Sequence, residues 1–137
     1  MINTAEKNKA WLLPYEWNLV EELNKALCGN SVHYGKSPEG YAQAMEMWES
    51  ARKKELSFLD AVEICFRAHQ LAPFLQFNGN TFVTIARGVV LALPIHGPEI
   101  IVVRDVVGHI VAGTVTDDER KRLRTVLETI GVIASTS

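Results

Sequence analysis

Apolar side chains recur every three or four residues through the first part of the chain, which is the spacing of an amphipathic helix. A first helix is predicted after Pro14, a residue suited to a first helical turn, and Gly29 is suited to its end. A second helix is predicted to start at Ser37-Pro38 and to run to about Lys54. The apolar stripes are Leu19, Val20, Leu23 and Leu27 in the first helix, and Tyr41, Ala44, Met45 and Trp48 in the second.

Two further helices are marked by capping patterns, one in the middle and one at the end of the sequence. Ser57 followed by Asp60 resembles a capping pair, and Thr116 followed by Glu119 has the full pattern of a capping box. Gly131 is suited to end the last helix. The predicted stripes are Phe58, Val62, Cys65, Phe66 and His69 in the earlier helix, and Leu123, Val126, Leu127 and Ile130 in the last.

The stretch between these two helices fits both helix and strand. Asn78-Gly79 between apolar segments is a signal for a tight hairpin turn, and the segments EIIVVRD and HIVAGTVT are rich in β-branched residues. Helical spacing also holds, from an Asn80 cap to Pro94 and again from Pro98. Propensity slightly favours strands. The helical stripes would be Phe82, Ile85, Ala86, Val89 and Leu93, then Ile100, Val103, Val107, Ile110 and Val111.

Length and charge narrow the class of protein. With 137 residues, the chain is expected to form one domain over 1–137, loosely ordered at 1–13 and 132–137. A net charge of −2 gives no electrostatic signal for nucleic acid or for an anionic membrane. Cys28 and Cys65 form no disulfide framework, which fits a reducing compartment. Because neither a signal-peptide core nor an apolar run of about 18 residues is present, we expect a cytoplasmic protein.

The segment around residue 78 combines a helix, a polar loop and a second helix-like stretch. LDAVEICFRAHQLAPF leads into LQFNGNT, a segment with Arg87 follows, and a glycine-containing link precedes the capped last helix. This layout, over about residues 57–130, resembles the Fic/Doc (Fido) family, especially the small Doc-like toxins, whose motif reads H-x-F-x-[D/E]-G-N-[G/K]-R. The resemblance implies an all-α fold, a single compact bundle of about six helices. The alternative is an α+β fold with N-terminal helices, a β-meander at 74–116 and a C-terminal helix.

The resemblance implies a phosphate or nucleotide site at the glycine-containing loop. Such a turn at a helix N-terminus offers backbone N–H groups and the positive end of the helix dipole to an anion. An arginine in the helix that follows would balance the charge. If the family activity is retained, the ligands would be ATP and a divalent metal ion, and AMP or phosphate would be transferred to a protein hydroxyl. The implied binding residues are Asn78, Gly79, Asn80, Thr81 and Arg87.

Two departures from the family motif bear on catalysis. Ala72 stands where the family has the histidine that acts as general base, and Thr81 rather than an arginine or lysine follows Asn80. His69, about one helical turn before Ala72, is the only local candidate for a catalytic base, and a structural role on the apolar face is its alternative. The resemblance therefore implies a degenerate motif. Such a domain would bind phosphate weakly, or be catalytically inactive and act through protein contacts.

The hexapeptide RDVVGH supports a different interpretation. Arg104 and His109 fit the R-x4-H pattern of HEPN-type ribonucleases, in which both side chains lie near RNA phosphates. On a helix the two positions are about 140° apart. A solvent-facing arginine and histidine are the structural alternative.

A helical protein-interaction domain of the immunity or antitoxin type is the remaining interpretation. It would need neither a base nor a nucleotide, and its function would lie in binding a protein partner. The sequence offers no pattern for a metal site, because the histidines have neither HExxH nor paired-cysteine spacing. The four histidines are His33, His69, His96 and His109.

Overall fold

Six α-helices make up most of the computed structural model, which describes residues 8–29 and 35–133. They are α1 (Trp17–Cys28), α2 (Tyr41–Arg52), α3 (Phe58–Leu71), α4 (Asn78–Val90), α5 (Pro98–Ala112) and α6 (Asp117–Thr129). The described residues form no strand, only isolated bridges that join Lys9 to Leu56 and Lys36 to Phe74. The predicted all-α bundle of about six helices is confirmed, and the alternative β-meander at 74–116 is wrong.

The middle of the chain is helical because its apolar residues can be buried together only at helical spacing. Phe82, Ile85 and Val89 are buried on one face of α4. A strand would instead turn Phe82 and Thr84 to the same side, yet Thr84 is exposed. Most β-branched residues of α5 also pack into the core, where burial outweighs their slightly lower helix propensity; they are Val103, Val106, Val107, Ile110 and Val111.

The core is centred on α3, α4 and α5, each of which packs against the other two. Around them, α1 packs on α4, α2 on α3 and α6 on α5. Trp48 of α2 meets Phe82 of α4 with ring centroids 5.5 Å apart, and both side chains are fully buried. The central helix α4 therefore contacts α1, α2, α3 and α5, and its first turn lies beside α1 and α3.

The first two helices begin later than predicted. α1 starts at Trp17 because the residues up to Pro14 form a separate turn. α2 starts at Tyr41, after a turn at residues 38–40. In this turn the Ser37 carbonyl accepts a hydrogen bond from the Tyr41 N–H at 3.1 Å, and the Ser37 hydroxyl accepts from the Gly40 N–H at 3.4 Å. The Ser37 N–H donates to the carbonyl of Pro73 at 2.8 Å, which joins this turn to the α3–α4 connection.

Both capping predictions agree with the structure. The Ser57 hydroxyl accepts a hydrogen bond from the Asp60 N–H at 3.0 Å at the start of α3. At the start of α6, the Thr116 hydroxyl accepts from the Glu119 N–H at 3.1 Å, and the Glu119 carboxylate accepts from the Thr116 N–H at 2.9 Å. The capping box of α6 is confirmed, since both reciprocal bonds are present.

The described parts of the two chain ends are packed, in contrast to the loose order expected for 1–13 and 132–137. Lys9 exchanges backbone hydrogen bonds of 3.0 and 2.8 Å with Leu56. Apolar side chains close to both ends are buried in the core, a contribution that the sequence pattern did not include. The buried side chains are Trp11, Leu12, Val132 and Ile133. Residues 1–7 and 134–137 lie outside the described part of the chain.

Candidate functional site at the start of α4

The turn between α3 and α4 carries the loop that the sequence analysis singled out. α3 ends because Ala72 adopts a left-handed conformation (φ 50°, ψ 65°), and α4 begins after Phe77, which is also left-handed (φ 60°, ψ 29°). The helix therefore starts at Asn78, and the predicted Asn80 cap is wrong. Left-handed backbone costs a residue with a Cβ roughly 1–2 kcal/mol. Other contacts of the turn must hold it in this shape.

The Asn78 side chain is one of these contacts. Its Oδ1 accepts a hydrogen bond from the Phe74 N–H at 2.9 Å, and its Nδ2 donates to the Phe74 carbonyl at 2.8 Å. This pair closes the turn on itself. Because both ends of the amide are used within the chain, the Asn78 side chain has a structural role, and only its backbone N–H can face a ligand.

A buried polar pair fixes the same turn to α1. Asn24 Nδ2 donates to the Gln76 carbonyl at 2.9 Å and to Thr81 Oγ1 at 3.1 Å, while the Thr81 hydroxyl donates to the Phe77 carbonyl at 2.7 Å. The side chains of Asn24 and Thr81 are completely buried. The predicted ligand-binding role of the Thr81 side chain is therefore replaced by a structural one.

Asn24 is not among the predicted site residues, although the sequence contains a signal for it. Asn24 is four residues from both Val20 and Cys28, so it lies on the buried stripe of α1. A polar side chain at such a position needs a buried hydrogen-bond partner. That requirement could have pointed to a polar contact between α1 and the rest of the core.

His69 lies against the first turn of α4. Its Nδ1 donates to the carbonyl of Val111 at 2.8 Å, which fixes the ring between α3 and α5. The Cε1 and Nε2 atoms lie 3.3 Å from the position that a Cβ on Gly79 would occupy. With its proton on Nδ1, the neutral imidazole presents a lone pair at Nε2; when protonated, it presents an N–H there. The imidazole edge and the glycine of the loop are therefore adjacent.

The N-terminus of α4 has an electrostatic character that suits an anion. Its N-cap residue, Phe77, supplies no side-chain acceptor, so no side-chain cap covers the first turn in the described part of the chain. The first N–H groups of a helix have no acceptor within the helix, and the helix dipole places partial positive charge there. The N–H groups of this first turn are those of Asn78, Gly79 and Asn80.

Arg87 lies at the other end of α4. It follows Asn78 by nine residues, which places the two backbones about 13 Å apart along the helix axis. Its Nε donates to the carbonyl of Arg104 at 3.3 Å, and its guanidinium group lies over Gly108 of α5. The contacts of Arg87 are therefore with α5, beyond direct reach of a phosphate held at the first turn of α4.

Arg104 and His109, the two residues of the ribonuclease interpretation, have different neighbours. Arg104 is exposed beside Arg87 on the α4 side of α5. His109 Nδ1 donates to the carboxylate of Glu119 at the start of α6. The Thr116 N–H and the His109 contact together hold the pKa of Glu119 below its ordinary value. The structure thus directs the arginine and the histidine to separate surfaces, as the 140° helical offset implies.

Of the candidate residues, the structure brings His69 and Gly79 together and separates Arg87 from them. No family model matches the chain, and neither a curated protein nor a solved structure is significantly similar to it. The Fic/Doc resemblance therefore stays a hypothesis that depends on the motif and on the order of helices.

A metal site and a reactive thiol have little support among the described residues. No three His, Cys, Asp or Glu side chains in 8–29 and 35–133 come close enough to form a metal-binding cluster. Cys28 and Cys65 are buried free thiols, and burial raises the pKa of the Cys65 thiol, which disfavours the reactive thiolate. In the same part of the chain, every helix is too short or too polar to cross a lipid bilayer.

Proposed function

We propose that this protein is a Fic/Doc-like helical domain with a degenerate motif that binds the phosphate group of a nucleotide weakly at the start of α4. The observation that supports this function is the position of the His69 imidazole against Gly79, beside the uncapped first turn of that helix. A helix N-terminus supplies backbone donors and partial positive charge. A protonated His69 adds one donor at Nε2.

The expected binding is weak because few groups are free to contact a phosphate. The side chains of Asn78 and Thr81 are engaged within the chain, and Arg87 contacts α5 instead. Recognition would depend on backbone N–H groups and on one imidazole. We expect a dissociation constant on the order of 1 mM, about −4 kcal/mol at standard concentration.

Transfer of AMP or phosphate to a protein hydroxyl has less support than binding. The Val111 carbonyl holds His69 in the tautomer whose Nε2 could accept a proton. However, Arg87 contacts α5 instead of this turn, and the sequence has no Asp or Glu from residue 64 to residue 98. A divalent metal ion would therefore depend on the phosphates of ATP for its charged ligands. We propose binding without efficient transfer.

The test is a titration with ATP followed in a two-dimensional amide NMR spectrum. We expect shifts at the amides of Asn78, Gly79 and Asn80 at millimolar ATP. The variant His69→Asn keeps a donor near the Nδ1 position for the Val111 carbonyl but removes Nε2. It should bind at least about 10-fold more weakly, the loss of one charge-assisted hydrogen bond.

Two outcomes would contradict the proposal. The absence of shifts in the first turn of α4 at millimolar ATP would exclude the phosphate site. Equal affinity of wild type and His69→Asn would exclude the role of the imidazole. Arg87→Gln should bind ATP as wild type does, because Arg87 is about 13 Å away along the helix; weaker binding would favour the role implied by the family motif.

A non-catalytic interaction domain of the immunity or antitoxin type is the second candidate function. Two large apolar side chains, Leu91 and Ile101, are 77% and 64% exposed in the described structure, which favours a protein partner at that surface. Double substitution of these residues by serine should abolish binding of a partner to that surface and leave the ATP titration unchanged.

A further inference from the structure

The structure joins two arginines that the sequence motifs assigned to different sites. Arg87 of α4 and Arg104 of α5 line one groove of about 370 Å³ on the outer surface of the helix pair. Arg87 is held in this groove by a hydrogen bond of 3.3 Å from its Nε to the Arg104 carbonyl. The groove is lined by Thr84, Arg87, Gly88, Leu91 and Arg104.

Gly108 allows the Arg87 side chain to approach α5 closely. A Cβ at Gly108 would lie 2.7 Å from the terminal Nη2 of Arg87 and 3.2 Å from its Cζ. The guanidinium group of Arg87 therefore lies directly against Gly108 of α5. Because its Nε is already engaged, Arg87 offers its terminal N–H groups to a ligand in a restricted set of orientations.

The positive charge of this groove is not neutralised within the described part of the chain. The salt bridges found there join other groups, and neither Arg87 nor Arg104 has a carboxylate within ion-pair distance. Asp105 follows Arg104 directly, but consecutive residues on a helix point about 100° apart. Two adjacent arginines without a carboxylate are complementary to a ligand that carries negative charge.

An apolar surface extends from this charged pair. Leu91 is four residues after Arg87, and Ile101 is three residues before Arg104, so each lies on the same helix face as its arginine. Leu91 is 77% exposed and Ile101 is 64% exposed. The surface thus offers two cationic groups and, about one helical turn away, two aliphatic side chains.

We propose that this α4–α5 groove docks an acidic, amphipathic segment of another protein. Carboxylates of the segment would contact Arg87 and Arg104, and an apolar side chain one helical turn further along it would cover Leu91 and Ile101. Charge complementarity selects an acidic partner, and the exposed aliphatic pair favours a peptide over a free nucleotide or a nucleic acid. Arg87 lies about 13 Å along α4 from Asn78, and Arg104 lies on α5, so this proposal does not depend on the phosphate site.

The experiment is a selection of random peptides displayed on phage against the wild-type protein, with counter-selection against the double variant Arg87→Gln/Arg104→Gln. We expect the enriched peptides to carry Asp or Glu about one helical turn from Leu, Ile or Phe. Binding of a synthetic enriched peptide should weaken at least about 10-fold for either single arginine variant. Leu91→Ser and Ile101→Ser should weaken it as well, and they leave the core intact because both side chains are mostly exposed.

Arg122→Gln is the matched control, because it removes the same charge from an exposed position on α6 outside the groove. It should bind the peptide as wild type does. Failure to enrich acidic-apolar peptides would overturn the proposal, as would equal binding by the groove variants. Displacement of the peptide by millimolar ATP or by an oligonucleotide would also overturn it, since the groove would then be a general anion site. Self-association that Arg87→Gln abolishes would assign the groove to a second copy of the chain and would equally contradict an independent partner.

Discussion

Replacing Gly40 by alanine would add one methyl group where the start of α2 meets the end of α3. A Cβ at this position would lie 1.8 Å from the Leu71 carbonyl oxygen and 2.7 Å from that of Ala72. Carbon and oxygen atoms normally approach to about 3.3–3.6 Å, so the two helix ends would have to separate by roughly 1.5 Å. Both obstructing atoms belong to the backbone, and a backbone carbonyl cannot rotate away as a side chain can.

Two effects of opposite sign determine how much Gly40→Ala changes the free energy of unfolding. Gly40 has φ −111° and ψ −18°, a conformation that alanine also adopts, so the lower entropy of the unfolded chain alone would stabilise the variant by about 0.4–1 kcal/mol. Overpacking typically costs about 1–3 kcal/mol, and the contact with backbone places this site at the upper end. We therefore expect Gly40→Ala to lower the free energy of unfolding by about 2 kcal/mol.

Urea denaturation followed by circular dichroism would measure this change. Gly88→Ala is the matched control, because the atom nearest to its new Cβ would be the Tyr15 hydroxyl at 2.6 Å, the end of a flexible side chain. Gly88 is also inside α4, where alanine is favoured over glycine by about 0.5–1 kcal/mol, so the control should change stability little. If Gly40→Ala is as stable as wild type, the close approach of α2 to the Leu71 carbonyl is refuted.

Two further variants test the core and the α5–α6 contact. Phe82→Ala should destabilise the protein by about 3–5 kcal/mol in urea, because the side chain is fully buried in the centre of the bundle; a loss below 1 kcal/mol would contradict that position. Glu119→Gln should make stability less sensitive to acid. The Thr116 N–H and His109 hold the pKa of Glu119 low in the folded state, so its stabilisation is present above the unfolded-state value of about 4.3 and is lost as the pH falls through the folded pKa. The difference between the urea midpoints of wild type and variant should therefore shrink from pH 6 to pH 3, and a constant difference would refute the contact.

Local signals in the sequence were sufficient for features that depend on neighbouring residues. The capping box at Thr116 and Glu119 needs only residues three positions apart, and the structure contains it. The choice between helix and strand in the middle of the chain was harder, because short apolar runs fit both periods. Burial of Phe82, Ile85 and Val89 on one face decided that choice, and burial depends on the other helices.

The candidate sites also include features that neighbouring residues determine and features that helix packing determines. The proximity of His69 to Gly79 follows from a short turn, and the sequence could suggest it. The pairing of Arg87 with Arg104 depends on how α4 is rotated against α5, which is determined by packing at positions such as Gly108. No spacing in one sequence encodes that rotation. The sequence therefore assigned the two arginines to separate hypotheses, although they line one groove.

The order of the helices along the chain has a consequence for partial unfolding of the protein. α3, α4 and α5 follow one another along the chain and make the most extensive contacts with each other, so they form the most cooperative part of the structure. A long segment separates α1 from α4 in the sequence, and Asn24 must form its hydrogen bonds to Gln76 and Thr81 across it. Closing such a loop costs chain entropy, so α1 should detach in a partial unfolding event while the central helices stay protected from hydrogen exchange. The turn that Asn24 braces would lose that support in the same event, and occupancy of a ligand at the start of α4 would then be coupled to the local stability of the N-terminal helix.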